Sequence, residues 1–137
     1  MIGLDTNVLV RYLAQDDATK AAAATRLIEE ELTVAQPGFI SMVVLAELCW
    51  VLQRLYAASP PEVHATVDGL LGTPQFHQER RDVVQAAVRR ERGSKSAKAG
   101  FIDALIAETA RAEGCSRTVS FDKFAVRSAG MTLLRLA

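Results

Sequence analysis

Four acidic side chains in this sequence occupy places where their chemistry can be used. Two of them, Asp5 and Asp122, directly follow short apolar or β-branched stretches that are typical of buried strands. The other two, Glu47 and Asp103, are the sole charges in apolar runs. An unpaired buried carboxylate is costly, so it normally becomes protonated, pairs with a cation or binds a metal. These acids are therefore our candidates for catalysis.

The first acid has an ordinary structural alternative. Asp5 is followed by Thr6 and Asn7, and all three residue types favour the N-cap of a helix. One cap needs only one residue, whereas three polar residues stand here in a row between apolar runs. This excess favours a ligand site just past the carboxyl end of a strand, where open α/β sheets bind ligands.

The other three acids have alternatives as well. Glu47 fits a narrow exposed stripe on an otherwise apolar helix. Asp103 fits the first turn of a helix, where the helix dipole favours a carboxylate. Asp122 fits a turn or a cap, where aspartate is common. Its position after a strand nevertheless repeats the arrangement at Asp5.

A metal would reconcile several acids in one place. If the strands before Asp5 and Asp122 are neighbours, the two acids share one crevice. Converging carboxylates repel each other unless a cation lies between them, and Mg²⁺ and Mn²⁺ prefer oxygen ligands. His64 and His77 lie away from these stretches, which argues against zinc. A magnesium site of this kind works with substrate phosphates, so hydrolysis of a phosphodiester follows.

The elements that would position the acids alternate along the chain. This alternation predicts an α/β fold, in which helices cover both faces of a central parallel sheet in a three-layer α/β/α arrangement. The 137 residues predict one domain over 1–137. Strands are predicted at 2–4, 39–41, 75–77, 118–120 and 132–134, and helices at 18–32, 42–56, 59–72, 81–92 and 102–113, with a first helix beginning after Asp5.

Cysteine usage and hydropathy indicate the environment. Cys49 and Cys115 lie far apart in helical patterns, which predicts two reduced, buried thiols and no disulfide. No apolar run approaches ~20 residues and no charged leader precedes the fold. We therefore expect a soluble, cytoplasmic protein with no membrane partner.

The motifs that carry the four acids resemble those of the PIN-domain nucleases. Their compact setting, with almost no additions, is most similar to the VapC-type toxins of prokaryotic toxin–antitoxin pairs. The resemblance covers essentially the whole chain. The motifs are Leu4-Asp5-Thr6-Asn7, Ala46-Glu47-Leu48, Phe101-Ile102-Asp103-Ala104-Leu105-Ile106-Ala107 and Ser120-Phe121-Asp122.

The resemblance implies roles for these residues and a form for the protein. It implies a five-stranded parallel sheet, a homodimer, and inhibition by a cognate antitoxin protein in a groove beside the site. Many members carry further acids near Gly100 and Phe124, and this chain lacks them, which leaves a second metal open. The implied metal ligands are Asp5, Glu47, Asp103 and Asp122; Ser120 supplies the hydroxyl before the last acid, and Thr6 and Asn7 orient ligands.

Basic residues are concentrated in one segment although the formal net charge is zero. The stretch from Arg80 to Lys98 contains seven basic and two acidic residues. An RNA backbone is one partner for such a segment, because phosphate contacts need no sequence readout. A solvated helix face is the alternative. The candidate RNA contacts are Arg89, Arg90, Arg92, Lys95 and Lys98.

We thus predict a ribonuclease dependent on Mg²⁺ or Mn²⁺, acting as the toxin of a toxin–antitoxin pair. A phosphatase with Asp5 as covalent nucleophile is one alternative. That chemistry generally needs a second acid where this chain has Asn7, and it leaves Glu47 unexplained. A non-catalytic PIN domain that binds RNA or protein is the other, and the presence of all four acids argues against it.

Overall fold

The computed structural model describes residues 1–93 and 100–136, apart from the side chains of residues 91–93. Helices and strands alternate along this part of the chain. The strands are β1 (Ile2–Gly3), β2 (Gly38–Ile40), β3 (Phe76–Gln78), β4 (Val119–Ser120) and β5 (Thr132–Leu133). The helices are α1 (Thr6–Ala14), α2 (Ala18–Arg26) with a π-helical extension (Leu27–Glu31), α3 (Met42–Leu55), α4 (Pro60–Leu71), α5 (Arg81–Gly93), α6 (Phe101–Ala112) and α7 (Lys123–Ala129).

The strands are parallel, which confirms the predicted α/β class. β1, β2 and β3 form one sheet in that order, and β4 pairs with β5 in a second. The prediction of about five strands in one central sheet therefore differs from the sheets of the described residues. β1, β4 and β5 contain two residues each. The pairings of β1 with β2 and of β4 with β5 therefore rest on few ladder hydrogen bonds.

Contacts within the chain divide it into two compact units. The first unit comprises Met1–Ala58 and Asp68–Arg80, and the second comprises Ser59–Val67 and Arg81–Ala137. β1, β2 and β3 belong to the first unit, and β4 and β5 belong to the second. One domain over residues 1–137 stays a prediction.

In the first unit a glycine brings β2 against its neighbours. A Cβ atom on Gly38 would lie 2.7 Å from Leu32 Cδ1 and 2.8 Å from Leu4 Cδ1. Only glycine leaves room for both leucine side chains there, so the two pack directly onto the strand. Leu4 is buried in this way and immediately precedes Asp5, which anchors the start of α1.

In the second unit α5 packs against α6. The predicted apolar stripe of α5 is buried, which confirms its helical period. An ion pair joins the two helices, with Arg90 Nε 2.9 Å from Glu108 Oε1. The buried stripe of α5 consists of Val83, Val84, Ala87 and Val88.

Helix α3 is less buried than its apolar sequence predicts. Leu45, Leu48 and Cys49 are fully buried, whereas Val43 and Trp50 are 77% and 50% exposed. The helix buries one stripe with the helical period, so apolar residues elsewhere on its circumference remain at the surface. The apolar run around Glu47 predicts a helix that is largely buried, and this prediction is wrong for the other faces of α3.

The two cysteines lie in different environments. Cys49 is buried, and burial raises the pKa of its thiol to about 12. Cys115 is exposed, so the prediction of two buried thiols is wrong for this residue. Cys115 follows Gly114, whose φ of +94° ends α6, and the chain there is at the surface.

The described helices include none that combines the length and apolarity needed to cross a membrane.

Candidate active site

Asp5 lies just past the carboxyl end of β1 and is the N-cap of α1. The backbone N–H of Leu4 donates to the Phe39 carbonyl at 3.0 Å, which continues the β1–β2 ladder up to the acid. Asp5 Oδ1 then accepts from the N–H of Thr6 at 2.8 Å. The capping alternative is thus a structural fact, but it occupies only one carboxylate oxygen. The exposed carboxylate retains its second oxygen for a ligand.

The two polar residues after Asp5 differ in exposure. Thr6 is 3% exposed, and its hydroxyl has no hydrogen-bond partner among the residues that the structure describes. Asn7 is exposed and lines a cleft of about 420 Å³ together with Arg11 and Lys20. An unused hydroxyl and an accessible amide directly beside the acid fit the orienting roles predicted for them.

Asp122 repeats the arrangement at the end of β4. Ser120 Oγ accepts from the N–H of Asp122 at 2.9 Å, and Asp122 Oδ1 accepts from the N–H of Phe124 at 2.8 Å. Asp122 is thereby the N-cap of α7. As at Asp5, the cap uses one carboxylate oxygen, so capping and metal binding are compatible roles for the same side chain.

Asp103 lies in the first turn of α6 and is half-buried. Its backbone N–H donates to the Gly100 carbonyl at 3.1 Å, which fixes the start of the helix. Burial raises the pKa of this carboxyl, and the charge of Asp122 raises it further. The charge of Asp122 therefore acts on Asp103 within the second unit, and the two carboxylates repel each other when both are ionised.

Glu47 is exposed on α3, so the argument from its burial is wrong. It lies one turn from the exposed Val43 and Trp50, on the solvent-facing stripe that the alternative proposed. Two acceptors fix the N-terminus of its helix. Ser41 Oγ accepts from the N–H of Val44 at 3.1 Å, and Glu79 Oε1 accepts from the N–H of Met42 at 2.7 Å.

The four acids are divided between the two units. Asp5 and Glu47 belong to the first unit, and Asp103 and Asp122 belong to the second. Over residues 1–93 and 100–136, no group of three or more His, Cys, Asp or Glu side chains is placed to share a metal ion. The convergence of all four acids on one ion stays a prediction.

The basic residues predicted to contact RNA are only partly described. Arg89 is exposed on α5. Arg90 is engaged by Glu108, and its guanidinium lies beside Gly130. This ion pair was not predicted from the sequence. The spacing of Val83, Ala87 and Arg90 places the arginine on the same face of α5 as the buried residues, which is the signal that could have indicated it. The side chain of Arg92 and the residues Lys95 and Lys98 lie outside the described part of the chain.

Comparison with known proteins agrees with this arrangement. The model of the PIN domain family matches residues 2–129. The match includes the four acids, Ser120 and residues of both units. No curated protein matches the sequence.

Proposed function

This chain belongs to the PIN-domain family, whose members are in general nucleases, and we propose that it is a metal-dependent endoribonuclease. The observation that carries the proposal is that Asp103 and Asp122 lie at the starts of α6 and α7, two helices that contact each other within the matched region. Two neighbouring carboxylates that repel each other form a site where a divalent cation replaces repulsion with attraction.

The donor atoms fit Mg²⁺ or Mn²⁺. All the candidate ligands are carboxylate and hydroxyl oxygens, which suit these hard ions. His77 stacks on Phe39 with ring centroids 6.0 Å apart, so its ring is already engaged in packing. We propose that Asp103 and Asp122 hold the ion and that Asp5 and Glu47 complete its ligands.

The residues around the acids would align the substrate. When bound, the metal ion would supply charge to neutralise the scissile phosphate and to lower the pKa of the attacking water. The capping carboxylates of Asp5 and Asp122 would help to hold the ion, and Ser120, Thr6 and Asn7 would orient the phosphate or the water. Attack by water leaves a 5′-phosphate and a 3′-hydroxyl on the RNA.

The basic residues at the end of α5 and in the sequence that follows it are proposed to bind the RNA backbone. Arg89 is exposed on α5. Three further basic residues follow it in the sequence: Arg92, Lys95 and Lys98. Arg90 is set apart from these residues, because RNA would have to displace its ion pair with Glu108. Contacts to phosphates from this segment would add affinity that falls with salt, without selecting a sequence.

We also propose a homodimer and control by an antitoxin, as in the VapC-type toxins that the motifs resemble. The support is the apolar surface of α3, where Val43, Trp50 and Leu55 are at least half exposed. Exposed apolar side chains on one helix are typical of surfaces that bind another protein. This part of the proposal is independent of the chemistry at the acids.

The experiment for the proposed activity uses the purified protein and a structured RNA, with Mg²⁺, Mn²⁺ and EDTA in parallel. Cleavage with either ion and none with EDTA is the expected result. Binding of RNA without cleavage would support the non-catalytic alternative. Release of phosphate from a phosphomonoester, with the RNA chain intact, would support the phosphatase that uses Asp5 as its nucleophile.

A further inference from the structure

From a second cavity, which lies wholly within the second unit, we infer a binding site for a phosphate monoester. The cavity has a volume of about 320 Å³ and is bordered by the segments that lead into β4 and β5. The cavity lies at the start of β4, whereas Asp122 follows the end of that strand. The side chains that matter here are those of Arg111, Ser116, Arg117, Thr118 and Thr132. This site is independent of the proposed nuclease chemistry.

The charge of the cavity is positive. Arg111 Nε lies 3.8 Å from Glu108 Oε2, at the outer limit of an ion pair. The other oxygen of the same carboxylate is 2.9 Å from Arg90 Nε. One glutamate thus serves two guanidinium groups, and Arg117 has no ion pair with any residue that the structure describes. An anion would find charge here that the described residues leave uncompensated.

Hydroxyl groups accompany the arginines. The side chains of Ser116, Thr118 and Thr132 line the cavity, and their hydroxyls make no hydrogen bond within residues 1–93 and 100–136. The N–H of Thr132 donates to the Thr118 carbonyl at 2.8 Å, which holds two of these residues side by side. Hydroxyl donors beside guanidinium groups are suited to the several acceptor oxygens of a phosphate.

A glycine in the cavity lining leaves room for a neighbouring arginine. Gly130 ends α7 with a φ of +69°, which other residues rarely adopt. A Cβ atom at this position would lie 2.9 Å from Arg90 Nη1. Glycine therefore satisfies the backbone turn and lets a third guanidinium approach the cavity lining.

The size of the cavity indicates which phosphate it accepts. Its volume lies near the lower end of the range for small-molecule pockets and exceeds what one phosphate group fills. The ligand is therefore a phosphate monoester attached to a small organic group. A free 5′-mononucleotide and the 5′-phosphate end of an RNA present this same chemistry.

Binding is tested by calorimetry on the whole protein in EDTA, so that no RNA is cut. The probes are inorganic phosphate, 5′-AMP, adenosine, and one short RNA with either a 5′-phosphate or a 5′-hydroxyl. We expect 5′-AMP to bind and adenosine not to bind if the source is a free nucleotide. Binding of only the 5′-phosphorylated RNA assigns the site to an RNA end. Equal binding with and without the phosphate, or no binding at millimolar concentrations, overturns the inference.

Variants place the binding in this cavity. Arg117→Ala removes the uncompensated guanidinium. The affinity for the phosphate-bearing probe should fall about tenfold or more, as loss of a charged hydrogen bond does. Arg127→Ala is the matched control, because Arg127 is an exposed arginine of the same unit whose guanidinium lies 5.1 Å from the Phe124 ring. Thr118→Val removes one donor with little change of shape and should weaken binding less. Equal affinities for the Arg117 and Arg127 variants would contradict the site.

Discussion

Burial raises the pKa of Asp103 and the negative charge of Asp122 raises it further, although the two residues lie at the starts of different helices. Asp122 is held by its cap to α7, and Asp103 is fixed by the first turn of α6. α6 contacts α7 in the second unit, so the packing of the helices holds the two acids near each other. A fold without a use for this pair would gain by separating them or by placing a cation between them.

The first prediction concerns stability in the absence of metal. The pKa of Asp103 is raised above its ordinary value of 3.8, so the folded state binds a proton more tightly than the unfolded state. The contribution of this residue to stability therefore falls as pH rises from 3.8 through the raised folded pKa, and the loss is complete above it. Asp103→Asn removes this pH-dependent contribution, because an amide does not titrate.

Urea unfolding in EDTA from pH 3 to pH 7 measures the effect. We expect Asp103→Asn at pH 7 to equal or exceed the parent in free energy of unfolding. A variant that is less stable by more than ~1 kcal/mol would show that the carboxylate has a structural role instead, of the size of a lost cap.

A second prediction concerns metal and stability. Mn²⁺ should raise the melting temperature of the parent, because a ligand that binds only the folded state stabilises it by mass action. Mn²⁺ should leave the melting temperature of Asp103→Asn unchanged. Addition of EDTA should return the melting temperature of the parent to its value without metal. An unchanged parent midpoint at millimolar Mn²⁺ would count against the proposed site.

Replacement of Thr6 by valine should change stability and activity in opposite directions. Its buried hydroxyl has no partner among the described residues, and such a group typically costs about 1–3 kcal/mol. Thr6→Val should therefore raise the free energy of unfolding by about 1 kcal/mol, while RNA cleavage falls because the orienting group is gone. Thr6→Ser keeps the hydroxyl and should keep the cleavage. Full activity in Thr6→Val would remove this residue from the site.

The surface of α3 gives a prediction about assembly. Trp50 is half exposed and stacks with Arg54, whose guanidinium carbon lies 5.4 Å from the ring centroid. If α3 forms the dimer interface, Trp50→Glu should shift light scattering from a dimer to a monomer. Val34→Glu is the control, because Val34 is 73% exposed but lies outside α3. A parent that is monomeric across micromolar concentrations would contradict the dimer.

Local patterns in the sequence predict the secondary structure well. The period of Val83, Val84, Ala87 and Val88 places α5, and Gly114 marks the end of α6. These signals are local, because the spacing of apolar residues and the conformation of glycine act within a few residues.

Contacts between distant segments are what the sequence does not reveal. Glu79 caps α3 at Met42, and Glu108 neutralises Arg90, yet neither pairing has a signal at short range. Burial is equally non-local. Glu47 is surrounded by apolar residues in sequence and is exposed in the structure, because the helix turns that stripe away from its buried face.

The candidate site illustrates a different limit. Sequence reasoning treats a helix cap and a metal ligand as competing explanations of Asp5 and Asp122. The structure shows that each cap engages only Oδ1 of its carboxylate. The two explanations are therefore compatible, and only chemistry at the remaining oxygens can separate them.

The most direct test compares the initial rate of RNA cleavage with Mn²⁺ for two capping variants. Asp122→Asn and Asp17→Asn both keep a good N-cap, because asparagine caps as well as aspartate. Asp17 caps α2, where it accepts from the N–H of Lys20 at 3.0 Å, and it is no candidate ligand. We predict that Asp122→Asn lowers the rate at least about 100-fold, at the upper end of what loss of a residue supporting a metal costs, while Asp17→Asn leaves it unchanged. Equal rates for the two variants would contradict the assignment of Asp122 to a metal-dependent active site.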